Sequence, residues 1–285
     1  MKIGIIGGSG LYEIEGIEDL RETALESPFG PPSDAFTSGN LKGREVVFLP
    51  RHGRDHRLLP SEIPFKANIW CMKKLGVTHL LSVSAVGSLK EEIEPGHIVF
   101  PDQFIDRTYL RDSTFFGNGV VGHVQFGDPV CAVLLNSLHE SADAHGVKHH
   151  RGGTYVCMEG PAFSTRAESL LYQSWDGSII GMTNLQEARL SREAEMCFAT
   201  IALATDYDCW HETEDEVNVE SILQVMRQNI ATSKLLLADA VTRIPEARNC
   251  ACQNAMQSAI VTPAERIPPK LKADLEPIIG RYIND

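Results

Sequence analysis

The sequence predicts an α/β protein, and three observations carry that prediction. Short apolar runs alternate with longer amphipathic ones along the chain, the pattern of strands that each feed a helix. No linker, low-complexity tract or internal repeat divides the 285 residues, so residues 1–285 read as a single domain. Glycine- and hydroxyl-rich loops follow several of the apolar runs, where open α/β sheets hold their ligands.

The elements follow in order. Lys2–Ile6 is a short apolar strand that stops at glycines, and further strands are expected at Arg44–Leu49, His79–Val83, His97–Phe100, Thr154–Met158, Ser178–Met182 and Phe198–Thr205. Between them, Ser61–Leu75 carries Ile63, Ala67, Trp70 and Leu75 near one helical face, and Pro129–His145, Thr165–Trp175 and Gln186–Met196 have similar patterns. Asn218 is placed to cap a helix with Ile222, Val225, Met226, Ile230 and Leu237 on its apolar stripe. Residues 245–285 are rich in proline and polar residues and end in another helical stretch, either covering the core or reaching a neighbouring subunit.

Composition narrows the function. The 26 Lys+Arg against 38 Asp+Glu give 26 − 38 = −12, which argues against a nucleic-acid or anionic-membrane surface but leaves room for a local phosphate pocket. The first apolar run is too brief for a signal peptide, no window reaches a membrane span, and the protein is expected in the cytoplasm. Seven cysteines are an odd number without zinc-finger spacing. Cys250 and Cys252 are the only close pair; two ligands do not make a zinc site, so they read as ordinary thiols and no metal is expected.

Five strand ends carry candidate chemistry. Gly7-Gly8-Ser9-Gly10 can bring backbone N–H groups to a small anion or form a plain turn. A dinucleotide fingerprint is disfavoured because Glu13 stands at the third glycine, and no Gly-Lys-Ser/Thr follows for a Walker loop. Arg51 and His52 sit just past a strand end, where a guanidinium fork suits a phosphate. Ser82–Leu89 and Gly181–Asn184 add hydroxyls at two further ends. Asp206 and Asp208 end the most apolar strand and point to one side if the backbone stays extended. Such a pair can split its acidities so that one member donates a proton, or it can serve as a helix cap or metal pair.

The order of these motifs resembles one family. Gly7-Gly8-Ser9-Gly10-Leu11, Arg51-His52-Gly53, Asn68-Ile69-Trp70, Ser84-Ala85-Val86-Gly87-Ser88-Leu89, Glu159-Gly160-Pro161-Ala162-Phe163-Ser164, Gly181-Met182-Thr183 and Thr205-Asp206-Tyr207-Asp208 are similar, in sequence order, to the 5′-methylthioadenosine phosphorylases of the trimeric purine nucleoside phosphorylase superfamily. The resemblance runs from residue 2 to about 240 and leaves the tail unmatched. It implies a central mixed β-sheet flanked by helices, a homotrimer, and phosphorolysis of methylthioadenosine in methionine and purine salvage. Phosphate is then a co-substrate, and no cofactor is implied.

The resemblance also assigns residues. Ser9, Arg51, His52, Ser84, Ala85 (through its N–H) and Thr183 match positions that hold phosphate. Met182 matches the ribose contact, and Phe163 packs on the purine beside Ser164. His123 matches a residue that reaches the 5′ end from a neighbouring subunit, and Val219 and Ile222 match the methylthio pocket. The 6-oxopurine branch typically has asparagine at the position of Asp206 and glutamate at that of Ser164, so this sequence resembles the aminopurine branch. On that reading Asp206, protonated, donates to N7 of the leaving adenine and Asp208 supports N6. Ser9 and Ser84 replace a common threonine, and Gln186 replaces a common proline, which sets the loop after Thr183 differently. The alternatives are a broader adenosine phosphorylase, a nucleosidase that uses water, and a non-catalytic nucleoside-binding protein.

Overall fold

The computed structural model describes residues 1–8, 11, 14–211 and 219–283, the side chains of 219–224 and 226 excepted. Its strands are β1 (Lys2–Gly7), β2 (Ile17–Thr23), β3 (Phe36–Leu41), β4 (Arg44–Pro50), β5 (His79–Ser88), β6 (Ile98–Phe100), β7 (Gln103–Arg107), β8 (His149–Arg151), β9 (Thr154–Met158), β10 (Gly177–Gly181) and β11 (Cys197–Tyr207). The helices are α1 (Phe65–Lys74), α2 (Ala132–Ala144), α3 (Arg166–Ser174), α4 (Leu185–Glu193), α5 (Val219–Arg243), α6 (Pro269–Asp274) and α7 (Glu276–Ile283).

Side-chain alternation along the central strands feeds two cores. Ile3 and Ile5 of β1, Leu81 and Val83 of β5 and Ile201 of β11 pack with Leu134 and Leu138 of α2 and Leu236 and Leu237 of α5. The opposite face sends Ile6, Val47 and Leu80 against Ile69 and Met72 of α1, Leu190 of α4 and Ile278 of α7. The result is a mixed sheet between two helical layers. β1 runs parallel to β4 and β5, β5 runs parallel to β11, and β10 lies antiparallel to β5.

All seven expected strands form, and β5 and β11 outrun their expected ends. Four strands were not expected: β2, β3, β7 and β8. β2 shows why, since Ile17–Thr23 is exposed at nearly every position and offers no apolar contrast to read. The helix expected from Ser61 begins instead at Phe65. Pro64 holds Ile63 extended, so Pro60–Glu62 closes only a single tight turn.

The tail folds back on its own chain. Met256, Ile267, Leu275 and Ile279 join the second core, and the Trp70 indole donates to the Asp274 carbonyl at 2.8 Å. Glu195, in the turn before β11, accepts from the Met256 N–H at 2.9 Å and the Tyr282 hydroxyl at 2.6 Å, and pairs with Arg281 at 2.7 Å. The same folding-back brings Cys250 and Cys252 to Cys131 and Cys197, a gathering that the spacing of the cysteines did not reveal.

Candidate active site

The site starts from a gap in the sheet. β11 pairs with one edge of β5 along its whole length. On the other edge the β1 ladder ends at Ser82 and the β10 ladder begins at Gly87. Among the described residues, positions 83–86 therefore have no strand partner on that edge. The Val83 carbonyl already points into the gap, where it accepts from Arg51, and Ala85 two residues on faces the same way. A cleft of about 320 Å³ opens here, lined among others by Gly8, Arg51, Ser84, Met182, Thr183 and Asp206.

Hydroxyls and one guanidinium surround the gap. Ser84 Oγ lies 3.4 Å from Thr183 Oγ1 and 3.2 Å from the buried Tyr155 hydroxyl. Burial pushes the Tyr155 phenol above its ordinary range, so it stays a neutral partner. Arg51 is buried and lines the cleft, but most of its fork turns inward and not onto the cleft as expected. It grips Glu187 of α4, with Nε at 2.5 Å and Nη2 at 3.0 Å, and also donates to Ser82 Oγ and the Val83 carbonyl. A guanidinium taken this far from water needs a carboxylate partner, and Glu187 supplies it. One Nη1–H is left uncommitted by these bonds. Glu187 was missed in the sequence, where nothing marks its distant partner.

His52 lines the same cleft. Its Nδ1 sits 2.8 Å from the Leu58 carbonyl, and its ring stacks on His56 at 4.2 Å. Burial, with the Arg51 and His56 charges, brings its pKa down to about 4, which keeps the ring neutral. A neutral ring that donates from Nδ1 offers Nε2 as an acceptor.

The two aspartates close the far end. A bulge at Thr205 breaks the register of β11 between Ala204 and Asp206, yet both Asp206 and Asp208 still line the cleft. They flank Gly87, where an added Cβ would lie 3.3 Å from Asp206 Oδ2 and 3.6 Å from Asp208 Cβ. Thr205 Oγ1 lies 2.5 Å from Asp206 Oδ1 and 3.2 Å from the Val86 carbonyl. Asp208 is the deeper of the two. Burial raises its pKa above the usual carboxylate range, which favours the protonated form.

The remaining expected residues divide. Phe163 and Met182 line the cleft, with Phe163 exposed at its mouth. Gly160, at φ +71°, lets Met182 lie close, since a Cβ there would be 2.5 Å from the Met182 sulfur. Ser164 does not reach the cleft wall; its hydroxyl faces the Met158 sulfur at 3.5 Å, behind Asp208. His123 is exposed in a separate groove with Phe116, Arg189 and Glu193, outside this chain's own cleft. Ser9 and the side chains of Val219 and Ile222 lie outside the described residues, although Gly8 and Leu11 line the cleft on either side of Ser9. Ile230 of α5 also lines it, so one residue of the predicted apolar stripe faces the site and not the core.

A second buried pair braces the cleft from behind. Arg111, in the loop after β7, pairs with Glu159 at 2.8 Å and donates to the carbonyls of Met158, Glu159 and Met182. Burial opposes the Glu159 charge, but bonds from Ser61, Tyr109, Arg111 and Leu110 hold its carboxyl down at about 2. Gln186 fits here too, donating to Thr108 Oγ1 at 2.8 Å, so the proline position of the resemblance becomes a polar brace.

A strand gap edged with hydroxyls, with paired carboxylates one cleft-length away, is what a site for a tetrahedral oxyanion and a nitrogen base requires. Comparison with known proteins decides the family: residues 2–242 match the profile of the Phosphorylase superfamily. This chain belongs to that superfamily. Within the phosphorylase superfamily it is 60% identical over 282 residues to the S-methyl-5′-thioadenosine phosphorylase of Geobacter sulfurreducens, covering 99% of each chain. Its fold superposes with a TM-score of 0.93 on a methylthioadenosine phosphorylase sourced from an antarctic soil metagenomic library, at 45% identity over 97% of this chain and 98% of that one. Methylthioadenosine phosphorylase from Schistosoma mansoni in complex with adenine gives 0.84 at 33% identity, over 90% and 96% of the two chains. A phosphorylase thus has its mixed sheet and flanking helices here, with the cleft at the gap in β5.

Proposed function

We propose that this phosphorylase cleaves 5′-methylthioadenosine with inorganic phosphate, giving adenine and 5-methylthioribose 1-phosphate. The observation that carries the reading is the juxtaposition in one cleft of the Ser84–Thr183 hydroxyls at the β5 gap with Asp206 and Asp208 around Gly87. The relatives' shared activity supports it.

Phosphate sits at the gap, accepting from Ser84, Thr183, the Ala85 N–H and the free Nη1–H of Arg51, with Ser9 closing the loop side. Because Glu187 offsets the Arg51 charge, these donors are mostly neutral. His52 Nε2 accepts a hydrogen bond from the hydroxyl of the monohydrogen phosphate, which orients an unprotonated oxygen toward the sugar. Met182 supports the ribose and Phe163 covers the purine. The glycosidic bond stretches first, the ribosyl gains oxocarbenium character, and the waiting phosphate steadies that charge before bonding to it. Adenine leaves neutral because Asp206, in its acid form, gives a proton to N7 while Asp208 faces N6. The Thr205 hydroxyl donates to Asp206 Oδ1, which leaves Oδ2, beside Gly87, to carry the proton toward N7. The partner subunit's His123 completes the 5′ end in a homotrimer, and the reaction uses no cofactor.

The test is chromatographic: methylthioadenosine with the purified protein, with and without phosphate, alongside adenosine and inosine. Adenine released only with phosphate, with inosine intact, is expected. Release without phosphate would make the protein a nucleosidase, and binding without turnover a nucleoside carrier.

A further inference from the structure

At the opposite end of β11 from the aspartates, four cysteines meet. Cys197 opens β11, Cys131 is the residue on which α2 starts, and Cys250 and Cys252 enter from the folded-back tail. Their four sulfurs all lie within 4.8 Å of one another, and Cys197 and Cys250 are 3.2 Å apart. Three of the four residues are buried. A tetrahedron with metal–sulfur bonds of about 2.3 Å has edges of roughly 3.8 Å, so a small inward adjustment brings all four sulfurs to one ion.

The surroundings are those of charged sulfur. Cys131 stands at the N-cap of α2, where the positive end of the helix dipole lies. Arg248 reaches Cys197 sulfur with Nη2 at 3.7 Å and keeps its buried Nε without another partner. A helix N-terminus and a nearby cation offset the two negative charges that four thiolates leave on a divalent ion. A pair of neutral disulfides would need neither.

We infer that Cys131, Cys197, Cys250 and Cys252 form a tetrathiolate site for a zinc ion. Each thiol gives up its proton as it coordinates, and soft sulfur donors in a closed tetrahedron suit a structural zinc. The ion joins three segments distant in sequence: the start of α2, the base of β11 and the tail. β11 spans 11 residues, so about 30 Å of strand separates the ion from the substrate. Its role is to hold the tail, and it touches no reacting atom. The sequence alone led to the opposite expectation because only Cys250 and Cys252 are near each other along the chain.

The test is metal analysis of the full-length protein purified without chelator. About one zinc per chain is expected, falling at least tenfold in Cys250→Ser and Cys252→Ser and unchanged in Cys71→Ala, whose sulfur lies elsewhere in the core. Exchange of wild-type protein into cobalt(II) should give the intense visible bands of tetrahedral cobalt–thiolate, a readout that does not depend on a variant folding. Wild-type protein with under a tenth of a metal per chain and no cobalt bands would overturn the proposal. So would an intact mass 2 or 4 Da below the reduced value, which reports one or two disulfides. One equivalent of iron in place of zinc would overturn the choice of ion.

Discussion

Glu187 has no job at the cleft surface, yet its loss should be felt throughout the protein. It is the buried counter-ion of Arg51, with side chains 1% and 3% exposed, so Glu187→Ala strands a guanidinium out of water. A loss of about 3–5 kcal/mol is expected from breaking such a pair, read as a lower urea midpoint, with a raised KM for phosphate as Arg51 turns elsewhere. Asp206→Asn asks a chemical question of the same cleft. Removing a general acid lowers kcat by roughly 10²–10⁴-fold, with KM for phosphate nearly unchanged, and equal turnover would remove Asp206 from its proposed role. That Arg51, Ser84, Thr183, Asp206 and Asp208 share one cleft was legible in the sequence because each lies at or just past an expected strand end, where α/β folds gather ligands, although β5 in fact runs on beyond Ser84. Glu187, Tyr155 and Arg111 were not. Each acts through a partner dozens of residues away, and nothing local in their segments records it.

The adjoining ends of β9 and β10 carry the next prediction. A Cβ on Gly181 would stand 2.0 Å from the Tyr155 hydroxyl and 2.8 Å from its ring carbon. Gly181→Ala therefore displaces the residue that steadies Ser84. Its expected cost is about 1–3 kcal/mol, with a severalfold higher KM for phosphate. Adding Tyr155→Phe removes the nearest clashing atom, so the double variant should recover part of the stability while phosphate affinity stays low. Additive losses in denaturation would place the strain elsewhere. The central strands were readable because both faces bury apolar side chains. The edge strands β2, β7 and β8 were not, since an edge with solvent on one side is written mainly in polar residues.

For the whole molecule, protons link the parts. His52, His79 and His139 are each brought down to about 4, chiefly by burial. Between about pH 4 and their ordinary 6.5 the unfolded chain binds more protons at these sites than the fold does, so they make stability fall as pH falls. Glu193, pushed up to about 7 by burial, has the opposite sign over the window above its ordinary 4.5, as does Asp208, also raised by burial; with His150 lowered too, two groups stand against four. The urea midpoint is therefore expected to be lower at pH 5 than at pH 7, and an equal or higher value would show that the histidines titrate normally. The α/β class could be read from the alternation of apolar and amphipathic runs, because that pattern is local. The return of the tail to Glu195 and to the cysteines could not, because proline-rich turns show where a chain bends and not where it arrives.

The interrupted edge of β5 has one more consequence. A continuous ladder would have met residues 83–86 with another strand; in the proposed reaction phosphate takes the place of that missing stretch of chain. A strand's place can be taken by anything of the right size that brings enough acceptors, and phosphorus itself is not read. Arsenate should therefore be accepted at the gap and split the nucleoside as phosphate does. Its sugar ester falls apart in water, so a reversible exchange would become a one-way release of adenine.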